Sequence, residues 1–180
     1  MAVQRGSLPT AGVARSVLGG VALAGFMGVG KSTVGPLVAA RLGLRWWDLD
    51  HRIEQNAGAT ISEIFRERGE PEFRRLELEA FRTGLAEGTA VISLGGGALL
   101  TPAARGLLAD AALCCVVLQA SWETISHRLR GSRRPLAHEA KPLFEARRAH
   151  YRALGTAVST DRRTPEEVAD AVVMVVQQWV

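Results

Sequence analysis

The chain has 180 residues but only two cysteines, and these are neighbours, Cys114 and Cys115. Adjacent cysteines are poorly placed to bridge each other, and the two form no metal-ligand set. A disulfide framework is therefore excluded, and a reducing compartment, the cytoplasm, is the expected location. The four histidines are also scattered without ligand spacing, so no zinc site is expected. Long hydrophobic runs are missing: the longest, such as residues 111–118, fall far short of the roughly 20 residues that a membrane helix needs. Residues 1–16 lack acids and apolar periodicity, which predicts a disordered tail. A short arginine-rich transit peptide is the alternative reading of that stretch, and no apolar stretch marks a secretory signal.

Lysine is nearly absent. Among 22 basic residues only Lys31 and Lys141 are lysines. The remaining composition is that of an ordinary globular domain, 47% hydrophobic and 22% charged, with length for one core and one domain over residues 17–180. The net charge of +4 is unevenly spread. Eight basic residues between Arg128 and Arg152 face only Glu139 and Glu145, a local +6 that leaves −2 for the rest. Such a segment suits nucleic acid or a small polyanion such as a nucleotide. Only Phe144 and Tyr151 lie near it, too few aromatics for a stacking stripe, so no nucleic-acid partner is expected.

Short apolar runs alternate with helical patterns along the chain. Strands are predicted at 17–24, 45–48, 90–94, 113–119 and 156–159. Helices are predicted at 31–42, 61–68, 71–85, 102–109, 122–129, 142–153 and 165–179, the last with Pro165 in its first turn. Alternation of this kind implies parallel pairing in a sheet covered on both faces, an α/β fold with five strands.

Gly25-Phe26-Met27-Gly28-Val29-Gly30-Lys31-Ser32 fits the pattern G-x-x-x-x-G-K-[ST] between a strand and a helix. The glycines let backbone N–H groups turn inward toward phosphate oxygens, and the helix adds its positive dipole end. Lys31 would neutralise the β- and γ-phosphates, and Ser32 would offer a hydroxyl to Mg²⁺. A nucleotide site follows, and with it the question of the acceptor. Asp48 and Asp50 come just after the second strand, where ligands bind in open parallel sheets. Read as strand residues, they point opposite ways, one toward Mg²⁺ and the other toward an acceptor hydroxyl. Arg74 and Glu77 lie three apart on one helix face, as a surface ion pair or as a clamp for a substrate carboxylate. Gly95, Gly96 and Gly97 permit close backbone approach or form a plain turn. The tryptophans are scattered, and Trp46 or Trp47 is expected to wall the acceptor pocket.

The set G-F-M-G-V-G-K-S-T-V-G (25–35), W-D-L-D (47–50), I-x-x-I-F-x-x-x-G-E-x-x-F-R-x-x-E (61–77), S-L-G-G-G (93–97) and R-P-L (134–136) resembles the shikimate kinase family. The resemblance runs from Val17 to the C-terminus, with the motifs in family order. It implies a P-loop, nucleoside-monophosphate-kinase-like three-layer sandwich with a small acceptor region (48–85) and a lid (130–141). The implied reaction is transfer of the γ-phosphoryl of ATP to the 3-hydroxyl of shikimate, with Mg²⁺, by a cytoplasmic monomer. Position by position, it implies that Gly28, Val29, Gly30, Lys31, Ser32 and Thr33 cradle the nucleotide, with Ser32 and Asp48 serving the metal. Asp50 would bond the shikimate hydroxyls and accept a proton, and Arg74 and Arg152 would clamp the carboxylate. Glu77 would orient Arg74, and Gly95, Gly96 and Gly97 would form the floor. Arg134 would close over the phosphates as the lid arginine. Arg128 would stack on adenine, facing Arg162, Arg163 and Pro165.

Two departures stand out: Pro36, close enough to the start of its helix to be tolerated, and Ala137 after R-P-L, where many relatives carry leucine. The rivals are another small-molecule kinase, gluconate kinase foremost because gluconate also carries a carboxylate, and a non-catalytic nucleotide-binding relative. A nucleotide acceptor would need a base pocket in place of a carboxylate clamp.

Overall fold

The computed structural model describes residues 19–130 and 140–179. The expected tail (1–16), the first residues of the first predicted strand, Arg134, Ala137 and most of the expected lid lie outside the described residues. In chain order the elements are β1 (Gly20–Ala24), α1 (Lys31–Leu42), β2 (Arg45–Asp48), α2 (Leu49–Ala57), α3 (Ile61–Ala86) and β3 (Ala90–Ser93). A 3₁₀ turn (Ala98–Leu100), α4 (Pro102–Asp110), β4 (Leu113–Gln119), α5 (Trp122–Leu129), α6 (Ala140–Arg152), β5 (Thr156–Ser159) and α7 (Pro165–Trp179) follow.

All four pairings are parallel, in the order β2-β3-β1-β4-β5. Every residue of β1 and β3 is buried. Successive strand side chains point to opposite faces, so helices must cover both, and a run such as Val21-Ala22-Leu23 is apolar throughout for that reason. Helices α1 and α7 pack on each other and on the sheet, while α4 packs on β4 and α3. The connection from β1 goes first to β2 and back to β3, then crosses to β4. The reversal leaves a crevice at the carboxyl end of β1, the place where open α/β sheets bind ligands.

Several element ends follow from local chemistry. Thr60 and Glu63 form a reciprocal capping box at the start of α3, with Thr60 N donating to Glu63 Oε2 (2.8 Å) and Glu63 N to Thr60 Oγ1 (3.2 Å). Thr164 and Glu167 repeat the pattern before α7. Pro36 sits in the second turn of α1, which continues unbroken to Leu42. The two helices expected at 61–68 and 71–85 are both present as the two arms of α3, broken at Gly69, whose φ of 78° and ψ of 170° suit glycine alone.

Helix α2 departs from the sequence reading. Asp48 is its N-cap, its Oδ1 accepting from His51 N at 3.3 Å, and Asp50 lies in its first turn. The two aspartates therefore diverge because the strand ends between them, and the expected strand alternation does not apply. The tryptophan expectation also fails. Trp46 leans on α1, where a Cβ on Gly35 would fall 2.2 Å from its Nε1. Trp47 is buried beside Gly84 with the Arg52 guanidinium over its ring at 4.5 Å. Neither lines the acceptor cleft described below.

Candidate active site

The loop between β1 and α1 wraps tightly at its base. Gly25 has φ of 134°, and a Cβ there would lie 2.3 Å from the Leu118 carbonyl oxygen of β4. At the loop's other end Gly30 (φ 102°) caps α1 without a side-chain bond, leaving the first N–H groups of the helix to face an anion. Lys31 is 7% exposed, and its Nζ donates to Gly25 O (2.8 Å) and Phe26 O (3.0 Å), curling over the loop it follows. Its backbone is braced from β3: Ser93 Oγ donates to Lys31 O at 3.0 Å while accepting from Trp46 Nε1 at 3.1 Å. Ser32 Oγ donates to Asp48 Oδ2 at 2.6 Å. The expected metal pair therefore meets, two hard oxygen donors at the mouth of the loop.

A cleft of about 410 Å³ opens along this loop, lined by Gly28, Val29, Gly30, Lys31, Ser32 and Thr33 and closed by Arg128, Arg163 and Pro165. The Arg128 guanidinium is anchored by Gly28 O (3.3 Å), Val29 O (3.3 Å) and Thr160 Oγ1 (3.1 Å). The residues expected around a nucleotide are thus brought together, apart from Arg162, which does not line this cleft, and Arg134, which lies outside the described residues.

A second cleft, of about 370 Å³, adjoins the loop at Met27 and is lined by Asp50, Phe65, Phe73, Arg74, Glu77 and the glycines 95–97, among others. Here the sequence-distant groups converge. Arg74 Nη1 donates to Glu77 Oε2 at 2.6 Å, and its Nε and Nη2 donate to Glu70 Oε1 at 3.2 and 3.1 Å. Glu77 is 4% exposed, and its Oε1 is buried with no hydrogen-bond partner among the described residues. Burial pushes its carboxyl above the ordinary carboxylate value, against the pull of Arg74 and with help from the charge of Asp50. The glycine floor is required by space. A Cβ on Gly95 would stand 2.7 Å from Asp50 Oδ1 and 2.9 Å from Glu77 Oε1, and one on Gly97 would stand 2.6 Å from Arg74 Nη2.

One expected member is not in this cleft. Arg152 lines a third cavity instead, with Trp122, Phe144 and Arg148. Arg147 lines the second cleft together with Arg74, and its Nη1 donates to Gly96 O at 3.2 Å. Arg147 and Arg152 are five residues apart on α6, which places them about 140° apart around the helix. The signal that could have found Arg147 is the face it shares with buried Tyr151, one turn on.

Fold and loop together define a P-loop phosphotransferase, a nucleotide-binding kinase with a second cleft, lined by acids and arginines, beside the loop. The shikimate kinase family model matches residues 27–177. The chain is 45% identical over 157 residues to the shikimate kinase of Streptomyces coelicolor, covering 84% of this chain and 91% of that one. A shikimate kinase from Acinetobacter baumannii, solved in complex with shikimate, superposes with a TM-score of 0.86 over 94% of this chain and 98% of its own, at 28% identity. A Sinorhizobium meliloti gluconokinase, at 20% identity and a TM-score of 0.61 over 91% of this chain and 94% of its own, shares the fold alone. The chain belongs to the shikimate kinase family.

Proposed function

We propose that the protein phosphorylates shikimate at its 3-hydroxyl, using ATP, to give shikimate 3-phosphate and ADP. The observation that carries this reading is the convergence of Arg74, Arg147, Glu77 and Asp50 on one cleft that opens onto the phosphate loop. Two guanidiniums suit a carboxylate, which they can hold by paired charge-assisted bonds, while two acids suit the hydroxyls of the ring. Phosphoryl transfer asks mainly for positioning and charge stabilisation, and the cleft arrangement supplies both.

In this reading the loop N–H groups and Lys31 hold the phosphates, and Arg128, Arg163 and Pro165 bracket the base. Arg74, oriented by Glu77, and Arg147 fix the acceptor's carboxylate over the floor of Gly95, Gly96 and Gly97. Asp50 orients the attacking hydroxyl and receives its proton as the new P–O bond forms. Ser32 and Asp48 would hold Mg²⁺, whose hard-cation chemistry matches their oxygens and which usually takes its remaining ligands from phosphates and water. Bound there, the ion would offset charge on the phosphates. The acceptor region then spans about residues 48–85, and Arg134 in the lid (130–141) completes the charge over the transferring group. Cys114 and Cys115 are free thiols held on β4, in keeping with a cytoplasmic location.

The test is ADP release with Mg·ATP in the presence of shikimate, of gluconate, or of neither. Shikimate-dependent turnover is the expected result. Turnover on gluconate alone would move the reading to that sugar acid, and ATP binding without any acceptor-dependent turnover would overturn it.

A further inference from the structure

Helix α6 brings Arg147 to the acceptor cleft, and one turn later it places Tyr151 behind the same wall. Residues four apart lie on one face of a helix, so the two side chains stand side by side. Tyr151 is 9% exposed, and its hydroxyl donates to the Gly96 carbonyl. Arg147 Nη1 donates to that same carbonyl at 3.2 Å. Two donors on one oxygen bring the guanidinium and the phenol side by side. Between them, His150 Nε2 donates to Leu99 O at 2.9 Å, in the tautomer that protonates that nitrogen. Helix α6 is thus tied by three side chains to the segment after β3, and two of them, Arg147 and Tyr151, share the Gly96 oxygen.

A carbonyl oxygen has two lone pairs, and here both are taken, one by the phenol and one by the guanidinium. The phenol is the stiffer of the two donors, locked by burial, with two side-chain torsions against four for arginine. Burial also pushes its ionisation up to about 12, so the hydroxyl keeps its proton at any working pH. No part of the phosphate or acceptor chemistry described above uses this hydroxyl.

We propose that Tyr151 is a positioning residue for the acceptor: its hydroxyl fixes the Gly96 carbonyl and thereby sets the place of the Arg147 guanidinium, so that the arginine meets the acceptor's carboxylate already aimed. The inference rests on the reading of this cleft as the site of a carboxylic-acid acceptor. Without the hydroxyl, Arg147 loses its rigid neighbour and must be ordered by the acceptor itself, which weakens acceptor binding and leaves the nucleotide alone.

Tyr151→Phe keeps the ring and its packing and removes only the hydroxyl. The expected result is a shikimate KM raised about tenfold, with kcat and the ATP KM each within about twofold of the parent. Arg147→Ala alone raises the shikimate KM further, and on that background Tyr151→Phe adds nothing, the coupling expected when one residue acts through the other. An equal effect of Tyr151→Phe in both backgrounds would show that the hydroxyl acts independently of Arg147 and would overturn the proposal. A shikimate KM unmoved by Tyr151→Phe would do the same, as would parallel losses in kcat and ATP affinity. If Arg147→Ala itself leaves the shikimate KM unchanged, the reading of the cleft fails, and the positioning role falls with it.

Discussion

Arg74 is held from two sides before any acceptor arrives, by Glu77 at 2.6 Å and by Glu70 at 3.1 Å. A guanidinium fixed in this way presents its remaining edge to the cleft at little further entropic cost. Arg74→Ala is therefore expected to raise the shikimate KM by about two orders of magnitude or more while the ATP KM stays near its parent value, because the loss is one of acceptor binding. Equal loss of ATP affinity would refute that assignment. Gly97→Ala probes the same group from the floor. Its Cβ would fall 2.6 Å from Arg74 Nη2 and push the guanidinium off its place, so steady-state kinetics should show a raised shikimate KM with a folded, ATP-binding protein. Glu77 carries a pH signature. Its folded-state pKa lies above the ordinary value of 4.5, chiefly through burial, so the folded chain binds its proton more tightly than the unfolded chain does. The stability this contributes is full below 4.5 and is lost as the pH rises through the folded pKa. Denaturation midpoints of Glu77→Gln should accordingly fall less steeply than those of the parent as the pH is raised from that value; parallel curves would refute the shift.

At the scale of elements, α3 bears on both stability and placement. Its Thr60–Glu63 box closes the first turn, and Thr60→Ala should cost about 1 kcal/mol in chemical denaturation, the usual worth of such a cap. Gly69 turns the second arm of α3 so that Phe73, Arg74 and Glu77 reach the cleft. Alanine there must adopt φ and ψ that only glycine holds cheaply, at about 1–3 kcal/mol, or straighten the kink. Gly69→Ala should lower stability and raise the shikimate KM together, measured on one preparation. The boundaries of α1, β2, β4, α5, β5 and α7 match the reading from periodicity and from Pro165, since apolar runs and end signals coincide there. Helix α2 was not legible. Its apolar residues Leu49 and Ile53 are few, and W-D-L-D reads as the end of a strand until the Asp48 cap is seen. Arg152 falls outside the cleft for a related reason: a basic helix gives several arginines, and only the packed face tells which one turns inward.

At the scale of the whole molecule, strand order decides where the two clefts lie. The crossing from β3 to β4 leaves the carboxyl end of β1 flanked on both sides, so the phosphate loop stands between the two clefts, the proposed nucleotide site and the proposed acceptor site. A nucleotide bound there adds its binding free energy to the folded state alone. With Mg·ATP at about 100 times its dissociation constant, the stability should rise by about 2.7 kcal/mol, visible as an upward shift in the melting temperature, and Lys31→Ala should abolish most of that shift.

The sequence by itself determined the phosphate loop, the α/β alternation, the family and most of the charged residues that the second cleft gathers. Each of these is written in contiguous residues: a glycine pattern that only a phosphate cradle needs, apolar runs of strand length, and an R-x-x-E pair on one helix face. Tertiary structure alone decided the order of the strands, the start of α2 at Asp48, the meeting of Ser32 with Asp48, and that Arg147 rather than Arg152 lines the second cleft. Those depend on which faces pack against which, and packing is settled between segments far apart in the chain, where no local pattern records it.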